Sequence, residues 1–284
     1  MRTSSLIVSL LTAAALAPGG MAIAADYEPP VVEIGDPVEE YVPVEIGSGW
    51  YLRGDVGYAF APSPSGQFTY RTFDPLTATY GQSNFATGDI STNVTFGAGV
   101  GYRFTDWLRA DVTIDGFRAR FDGTTTSGTP CIGTPAFAGT SCRSEDSARF
   151  SVMSLMANGY ADLGTVVGFT PYIGAGIGYS LISFADLTNN VYCVGATCPV
   201  GYVGTSAHGG VKDFRFTYAA MAGVSYDISN NLKVDLGYKY RRISGGDMFN
   251  WDAFSANAGA TGVQGKDPGF SSHEVKLGLR YELW

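Results

Sequence analysis

The stretch Ile90–Phe104, ISTNVTFGAGVGYRF, decides the fold. Its even positions are Ile90, Thr92, Val94, Phe96, Ala98, Val100, Tyr102 and Phe104, all apolar except Thr92. Its odd positions are Ser, Asn, Thr, three Gly and Arg103. A side-chain period of two places neighbours on opposite faces of a sheet, so this is a strand with one oily and one polar face. The C-terminal run repeats the pattern: Val275, Leu277, Leu279, Tyr281 and Leu283 alternate with Glu274, Lys276, Gly278, Arg280 and Glu282. A chain made of such runs must close its sheet or expose an edge. Closure is compulsory if the oily face meets lipid.

Eight strands follow from this reading, at residues 50–60, 90–104, 107–121, 150–163, 172–184, 214–228, 232–241 and 274–283. In 107–121 the pattern changes face near Gly116 and Phe117, which predicts a bulge there. The connections alternate in length. Short segments around Thr105-Asp106, Gly164–Thr170 and Ser229-Asn230-Asn231 alternate with long polar loops near 61–89, 122–149, 185–213 and 241–273. Four such loops are unusual for a compact soluble domain. Short turns at one rim and long loops at the other are the habit of an outer-membrane barrel with both termini on the periplasmic side. The predicted fold class is therefore all-β, an eight-stranded antiparallel up-and-down transmembrane barrel.

Alternation alone does not say which face is outside, and a lipocalin-like barrel turns its apolar set inward around a ligand. Three features favour lipid outside. First, the polar rows mix both signs of charge at central positions: Arg53, Asp55, Arg103, Arg109, Asp111, Asp115, Lys233, Asp235, Lys239, Arg241, Glu274, Lys276, Arg280 and Glu282. These can pair across a narrow lumen, whereas a charge facing mid-bilayer lipid costs about 2–4 kcal/mol. Second, aromatics gather at strand ends, with Trp50, Phe104, Trp107, Tyr226 and Trp284 at the short-turn side and Phe60, Phe121, Phe150, Phe184 and Tyr240 at the other. Two belts at headgroup depth are the expectation. Third, the inward rows are rich in Gly (Gly97, Gly99, Gly101, Gly174, Gly176, Gly178, Gly237, Gly278), leaving room for longer neighbours in a bore only wide enough for side chains.

The N-terminus sets the compartment. Arg2 precedes the uncharged stretch 6–17, and Ala22-Ile23-Ala24 is a small-residue cleavage pattern, so residues 1–24 read as a signal peptide. Seven acids (Asp26, Glu28, Glu33, Asp36, Glu39, Glu40, Glu45) lie among four prolines in 25–48, with no basic residue. That segment reads as an extended periplasmic tether, and the barrel as 49–284. Beyond the tether the chain is nearly balanced in charge, so a basic nucleic-acid face is excluded.

Four Cys fall in two loops. In an exported protein, close pairs favour the local disulfides Cys131 with Cys142 and Cys193 with Cys198. Neither pair has CxxC spacing and only His208 is near, which argues against zinc. The GxGxG runs lie inside strands with no following helix, which argues against a phosphate loop. For catalysis the candidates are Ser206 with His208, and Ser271 with His273 and Glu274. Ser271 and His273 share a face, but Glu274 points to the other. The expectation is no enzyme, no metal and no cofactor.

The runs TPYIGAGIGYS (170–180), AGVSYDISNNLKVDLGYKYR (222–241) and HEVKLGLRYELW (273–284) resemble the eight-stranded OmpA-type outer-membrane barrels of alphaproteobacteria, the 25/31-kilodalton surface-antigen class. The resemblance covers about residues 49–284. It implies export to the outer membrane of a Gram-negative bacterium and a structural or surface-interaction role, as antigen or adhesin-like protein. Its implied partners are outer-membrane lipid and lipopolysaccharide, the barrel-assembly machinery, and a host or extracellular ligand at the loops. It also implies a C-terminal assembly signal at Leu279, Tyr281, Leu283 and Trp284, although here Leu283 occupies the outward phase where the family places an aromatic. The alternatives are a small-solute porin, a lipid A acyl hydrolase or transferase, and a haem-binding surface protein. Loop aromatics Phe68, Tyr70, Phe73, Tyr80, Tyr192, Tyr202, Phe249, Trp251 and Phe254 either contact a partner or pack the loops together.

Overall fold

The computed structural model describes residues 49–127, 131, 139–198 and 201–283. The expected signal peptide at 1–24, the acidic segment at 25–48 and Trp284 lie outside the described residues. In chain order the elements are β1 (Trp50–Pro64), β2 (Thr69–Asp74), β3 (Thr79–Asn84), β4 (Thr87–Arg103), β5 (Leu108–Thr126), β6 (Ser141–Asp162), β7 (Phe169–Phe184), β8 (Leu187–Val194), β9 (Tyr202–Gly210), β10 (Lys212–Asp227), β11 (Leu232–Asp252), α1 (Ala253–Asn257) and β12 (Val263–Glu282). Strands β1, β4, β5, β6, β7, β10, β11 and β12 pair antiparallel in that order, and β12 pairs back with β1 to close the barrel. No helix among the described residues is long and apolar enough to cross a membrane. The crossing is made by strands.

Three tight turns hold the lower rim. Between β4 and β5 the Thr105 hydroxyl accepts from the backbone N–H groups of Trp107 and Leu108 at 3.3 and 3.0 Å. Between β10 and β11 the Ser229 hydroxyl accepts from Leu232 N at 3.1 Å. The local side chain thus satisfies backbone donors that the ladder leaves over.

At the opposite rim the expected loops are largely strand. β5 and β6 stay paired as far as Thr126 and Arg143. β8 and β9 form a hairpin wedged between β6 and β11, prolonging the wall above the ends of β7 and β10. The β2–β3 hairpin extends the wall beside β12. These segments escape a search for strands with an apolar outer row because their outer row is polar.

The rows face as the lipid argument requires. In β1, Leu52, Val56 and Tyr58 are exposed while Tyr51 and Asp55 are buried; in β12, Leu277, Leu279 and Tyr281 are exposed while Glu274 and Arg280 are buried. The face change expected in β5 is absent. Its odd residues remain inward from Arg109 to Gly123, and its register with β6 is unbroken. The register shift lies in the partner strand, between Thr92 and Thr95 of β4, opposite Ala119 and Phe117. It turns Ile90 and Thr92 inward, so Ile90 does not belong to the oily outer row; it is 8% exposed. What changes at Phe117 is the chemistry of the inward row, from charged to apolar.

Above that level the interior is a hydrophobic core of Phe68, Phe85, Ile90, Phe117, Phe121, Phe150, Phe184, Ile243, Phe249 and Phe270 with smaller neighbours. Phe121, Phe150 and Phe184, expected in the upper aromatic belt, therefore point into the core. The outward aromatics of that half are Phe60, Tyr179, Phe214, Phe216, Tyr218 and Tyr238. At the lower rim Trp50, Phe104, Trp107 and Tyr226 are exposed on the lipid side.

Candidate functional site

All fourteen charged residues singled out in the sequence lie on inward-facing rows of the lower barrel. Arg53 spans from Asp55 at 2.8 Å to Asp111 at 2.9 Å, and Lys276 approaches Asp55 at 3.3 Å. One level up, Asp115 accepts from Lys239 at 3.2 Å and from Arg241, which also reaches Glu274 at 3.5 Å; Glu274 accepts from the Thr95 hydroxyl at 2.6 Å. Near the lower rim Arg280 pairs with Asp235 at 3.2 Å, and Glu282 pairs with Arg103.

Two acids complete the set. Asp162 accepts from Arg109 at 3.1 Å and Asp227 from Lys233 at 2.5 Å. The sequence reading left both out because each ends a strand beside a turn. With them, eight cations (Arg53, Arg103, Arg109, Lys233, Lys239, Arg241, Lys276, Arg280) face eight anions. Charges this far from water persist only when paired and hydrogen-bonded. The lumen is therefore a neutral, cross-linked plug.

Aromatic side chains fill the rest, which charge counting does not reveal. Tyr51 donates to Asp111 at 3.2 Å, and Arg109 stacks over the Tyr160 ring with 4.2 Å between guanidinium carbon and ring centroid. Gly101 is needed here because a Cβ at that position would lie 2.2 Å from the Tyr51 ring, and Gly278 because a Cβ there would lie 2.4 Å from Asp55 Oδ1. A cavity between Arg53, Tyr160, Tyr172 and Lys239 holds about 10 Å³, at most the room of a single water. Where the plug meets the apolar core, the Arg241 guanidinium lies 5.3 Å from the Phe117 ring centroid.

The cap above has its own fixtures. The disulfides are Cys131–Cys142 and Cys193–Cys198, and Cys142 lies directly across the β6–β8 ladder from Cys193. Both bridges thus tie the top of one wall. Of the loop aromatics, Phe68, Tyr70 and Phe249 line or fill the apolar core, Phe73, Tyr80 and Trp251 stack on one another, and Tyr192 stacks on Tyr202. Phe254 stands 80% exposed on α1 and Leu76 95% exposed in the β2–β3 turn.

The serine–histidine candidates fare differently. Ser206 Oγ lies 3.3 Å from His208 Nε2, but His208 is buried and packs edge-on against Phe249. Asp252 sits across the β9–β11 pair from His208. Partial burial pushes the Asp252 carboxyl up, and bonds from Ser255 together with the nearby His208 outweigh it, leaving it below the usual carboxylate range. His273 faces outward, bonded to the Tyr238 hydroxyl and stacked on Phe60. Ser271 donates instead to the Ser63 carbonyl at 3.5 Å. No cluster of three His, Cys, Asp or Glu suited to a metal ion occurs among the described residues. Of the expected assembly signal, Leu279 and Tyr281 point to lipid and Trp284 lies outside the described residues.

Comparison with known proteins agrees with this architecture. An uncharacterized protein of Brucella suis biovar 1 is 37% identical over 269 residues, spanning 88% of this chain and 90% of its own length. A putative adhesin of Rickettsia bellii is 28% identical over 239 residues, spanning 82% of this chain and 88% of its own. The crystal structure of Neisserial surface protein A is similar over 83% of this chain and 98% of that one, at 18% identity and a TM-score of 0.41. Residues 5–282 match the family described as the outer membrane protein beta-barrel domain. The chain belongs to that family, and it is a protein of the bacterial outer membrane.

Proposed function

We propose that this barrel is a structural anchor that holds a rigid contact surface above the outer membrane, acting as a surface antigen or adhesin-like protein. The observation that carries this reading is the cap: an apolar-cored, disulfide-tied outgrowth of the same strands, standing on a plugged lumen. In β5 the last lipid-facing residues are Ile114 and Gly116, and the strand continues to Thr126. Ten residues at about 3.3 Å each, tilted by about 40°, lift the tip roughly 25 Å. The tips carry exposed apolar groups: Leu76 and Phe254, which pack on no ring of the cap, and Tyr202, half-exposed where it stacks on Tyr192. That the Rickettsia bellii relative is a putative adhesin supports the same reading.

The finer placement in the OmpA-type 25/31-kilodalton class belongs to this proposal, as do cleavage after residue 24 and an acidic periplasmic tether. So do lipopolysaccharide around the cap and the assembly machinery at the C-terminal strand. The chain has no catalytic role in this reading, since neither Ser–His pair combines an accessible base with an orienting acid.

The test has two arms. In planar bilayers the purified protein gives no steps above the baseline, against the channel reading. Expressed on a non-adherent laboratory strain, it raises binding to epithelial monolayers. The triple variant Leu76→Ser, Tyr202→Ser, Phe254→Ser loses that gain and keeps heat-modifiable gel mobility. Unchanged adhesion in the variant, or defined conductance steps, overturns the proposal.

A further inference from the structure

The four cysteines of the cap form one group rather than two. Cys142 on β6 stands directly across the ladder from Cys193 on β8, so their side chains share a face. Cys142 turns its backbone away from β8: its carbonyl accepts from Ser127 N at 2.8 Å, and its N–H donates to the Ser127 hydroxyl at 3.2 Å. Cys193 turns its backbone away from β6, since its N–H donates to the Gly201 carbonyl at 2.8 Å. The two therefore make a non-hydrogen-bonded pair, the position where facing Cα atoms approach to about 4.5 Å and side chains lie closest. A disulfide accepts Cα separations of roughly 4.4–6.8 Å. Cys142 and Cys193 thus stand where a bridge fits and make none with each other.

Each is bonded instead to a cysteine off that pairing, Cys142 to Cys131 and Cys193 to Cys198. The Cys131 sulfur lies 3.7 Å from the carbonyl of Tyr192, the residue beside Cys193, so the first bridge leans over β8 rather than away from it. Cys193 is 7% exposed, whereas Cys131 and Cys198 are half-buried. A dissolved thiolate can therefore enter at the outer sulfur of either bridge.

We infer that the two bridges act as one thiol-exchange unit, which retains a small thiol on the cap while β6 and β8 become joined directly. A thiolate RS⁻ attacks the Cys131 sulfur, forming the R–S–S–Cys131 bond and releasing Cys142 as a thiolate. Cys142 then attacks the Cys193 sulfur. The Cys142–Cys193 bond forms, the Cys193–Cys198 bond breaks, and Cys198 leaves with the electron pair and takes a proton from water. Entry at Cys198 runs the other way: Cys193 is released, attacks Cys142 and frees Cys131. Two disulfides and one thiol stand on each side, so no oxidant or reductant is needed. The second step is intramolecular, between groups that the ladder holds opposite each other, which favours it over attack by a second thiol. The result is a cap that carries a thiol-bearing molecule and keeps a covalent tie across its wall. This holds whether or not Leu76 and Phe254 contact a partner.

The experiment treats the full protein, folded in detergent, with a single equivalent of 2-mercaptoethanol and then excess iodoacetamide, followed by proteolysis and mass spectrometry. The expected map links Cys142 to Cys193, with the mercaptoethanol adduct on Cys131 or Cys198 and the alkyl group on the other. A second measurement needs no thiol. In the double variant Cys131→Ser, Cys198→Ser, copper phenanthroline oxidises Cys142 and Cys193 to one bridge, and heat-modifiable mobility shows that the barrel is folded. If the double variant does not fold, the wild-type map decides alone. A wild-type map in which one original bridge opens, the other stays intact and no Cys142–Cys193 link forms overturns the inference. So does a folded double variant whose two cysteines stay reduced.

Discussion

The eight strands build two barrels end to end, and the two are chemical inverses. Below the level of the Phe117–Val152 pair, charge lies inside and apolar residues outside; above it, phenylalanines lie inside around one buried ion pair, Arg215–Asp267, while Arg118, Arg120, Arg149 and Ser151 lie outside. The backbone does not change across this boundary, and no residue of β5 or β6 switches face. The solvent changes. A polar row is affordable inside only where the outside is lipid, and an apolar interior stabilises only where the outside is water. The position at which both rows of one strand invert is therefore a direct reading of where the bilayer ends.

The largest expected effect comes from breaking the lower barrel's charge balance. Asp115→Ala strands Lys239 in the lumen and leaves Arg241 only Glu274 at 3.5 Å, and such uncompensated buried charge costs about 3–5 kcal/mol. Urea titration in lipid vesicles, followed by gel mobility, reads the loss for the whole barrel. In the upper barrel, Phe121→Ala costs about 3–4 kcal/mol, in the lower part of the range for a buried Phe because the open end of the cap lets neighbours settle. Its signature is local: proteases cut the cap while the lower strands keep their heat-resistant mobility. Both variants acting through a single cooperative transition would erase the distinction between the two cores.

A pair of outward substitutions sharpens the boundary itself. Val112→Arg places a charge near the middle of the lipid face, where the cost is about 2–4 kcal/mol. Arg118→Leu, three pairs higher on the same row, changes stability by less than about 0.5 kcal/mol. Equal effects at the two sites would move the bilayer edge from the level assigned to it.

The lower barrel was legible because period-two alternation with an apolar outer row is both its signature and its physical requirement. Arg53, Asp111, Asp115 and Arg280 could be placed inward from parity alone. The cap was not, for three reasons tied to particular residues. Its outer row is polar, so 122–126 and 141–149 look like loop. Its inward Phe121, Phe150 and Phe184 share the composition of an interfacial belt, and only parity carried past the boundary separates them. The shift between Thr92 and Thr95 moves Ile90 to the other face without a Gly or Pro to mark it. Parity counted along β5 finds the apolar row, but nothing local in β4 announces the extra residue. Asp146, His208 and Gln264 line one cavity from three distant segments, and no spacing rule brings them together.

The smallest effect isolates the one carboxyl among the described residues of the apolar-cored half that has neither a cation partner nor exposure to water. Burial pushes the Asp146 carboxyl up to about 6 from an ordinary 3.8, with the single bond from Asn189 opposing. A raised carboxyl favours the protonated form in the folded cap. Its stabilising contribution is thus complete below about pH 4 and is lost as pH rises through about 6. A shift of this size corresponds to about 1–3 kcal/mol between those limits. His208 lines the cavity on one side of Asp146, and Asp89, Arg120, Asp122 and Glu145 line a second one that Asp146 also borders; their contributions are common to the wild type and Asp146→Asn and cancel in the comparison. Between pH 4 and 7, protease resistance of the wild-type cap falls while that of Asp146→Asn stays level, and above pH 6 the variant is the more resistant. A wild-type cap with no pH dependence in this window means that Asp146 is solvated, and the contrast between a charge-bearing lower core and an apolar upper one then needs redrawing at that residue.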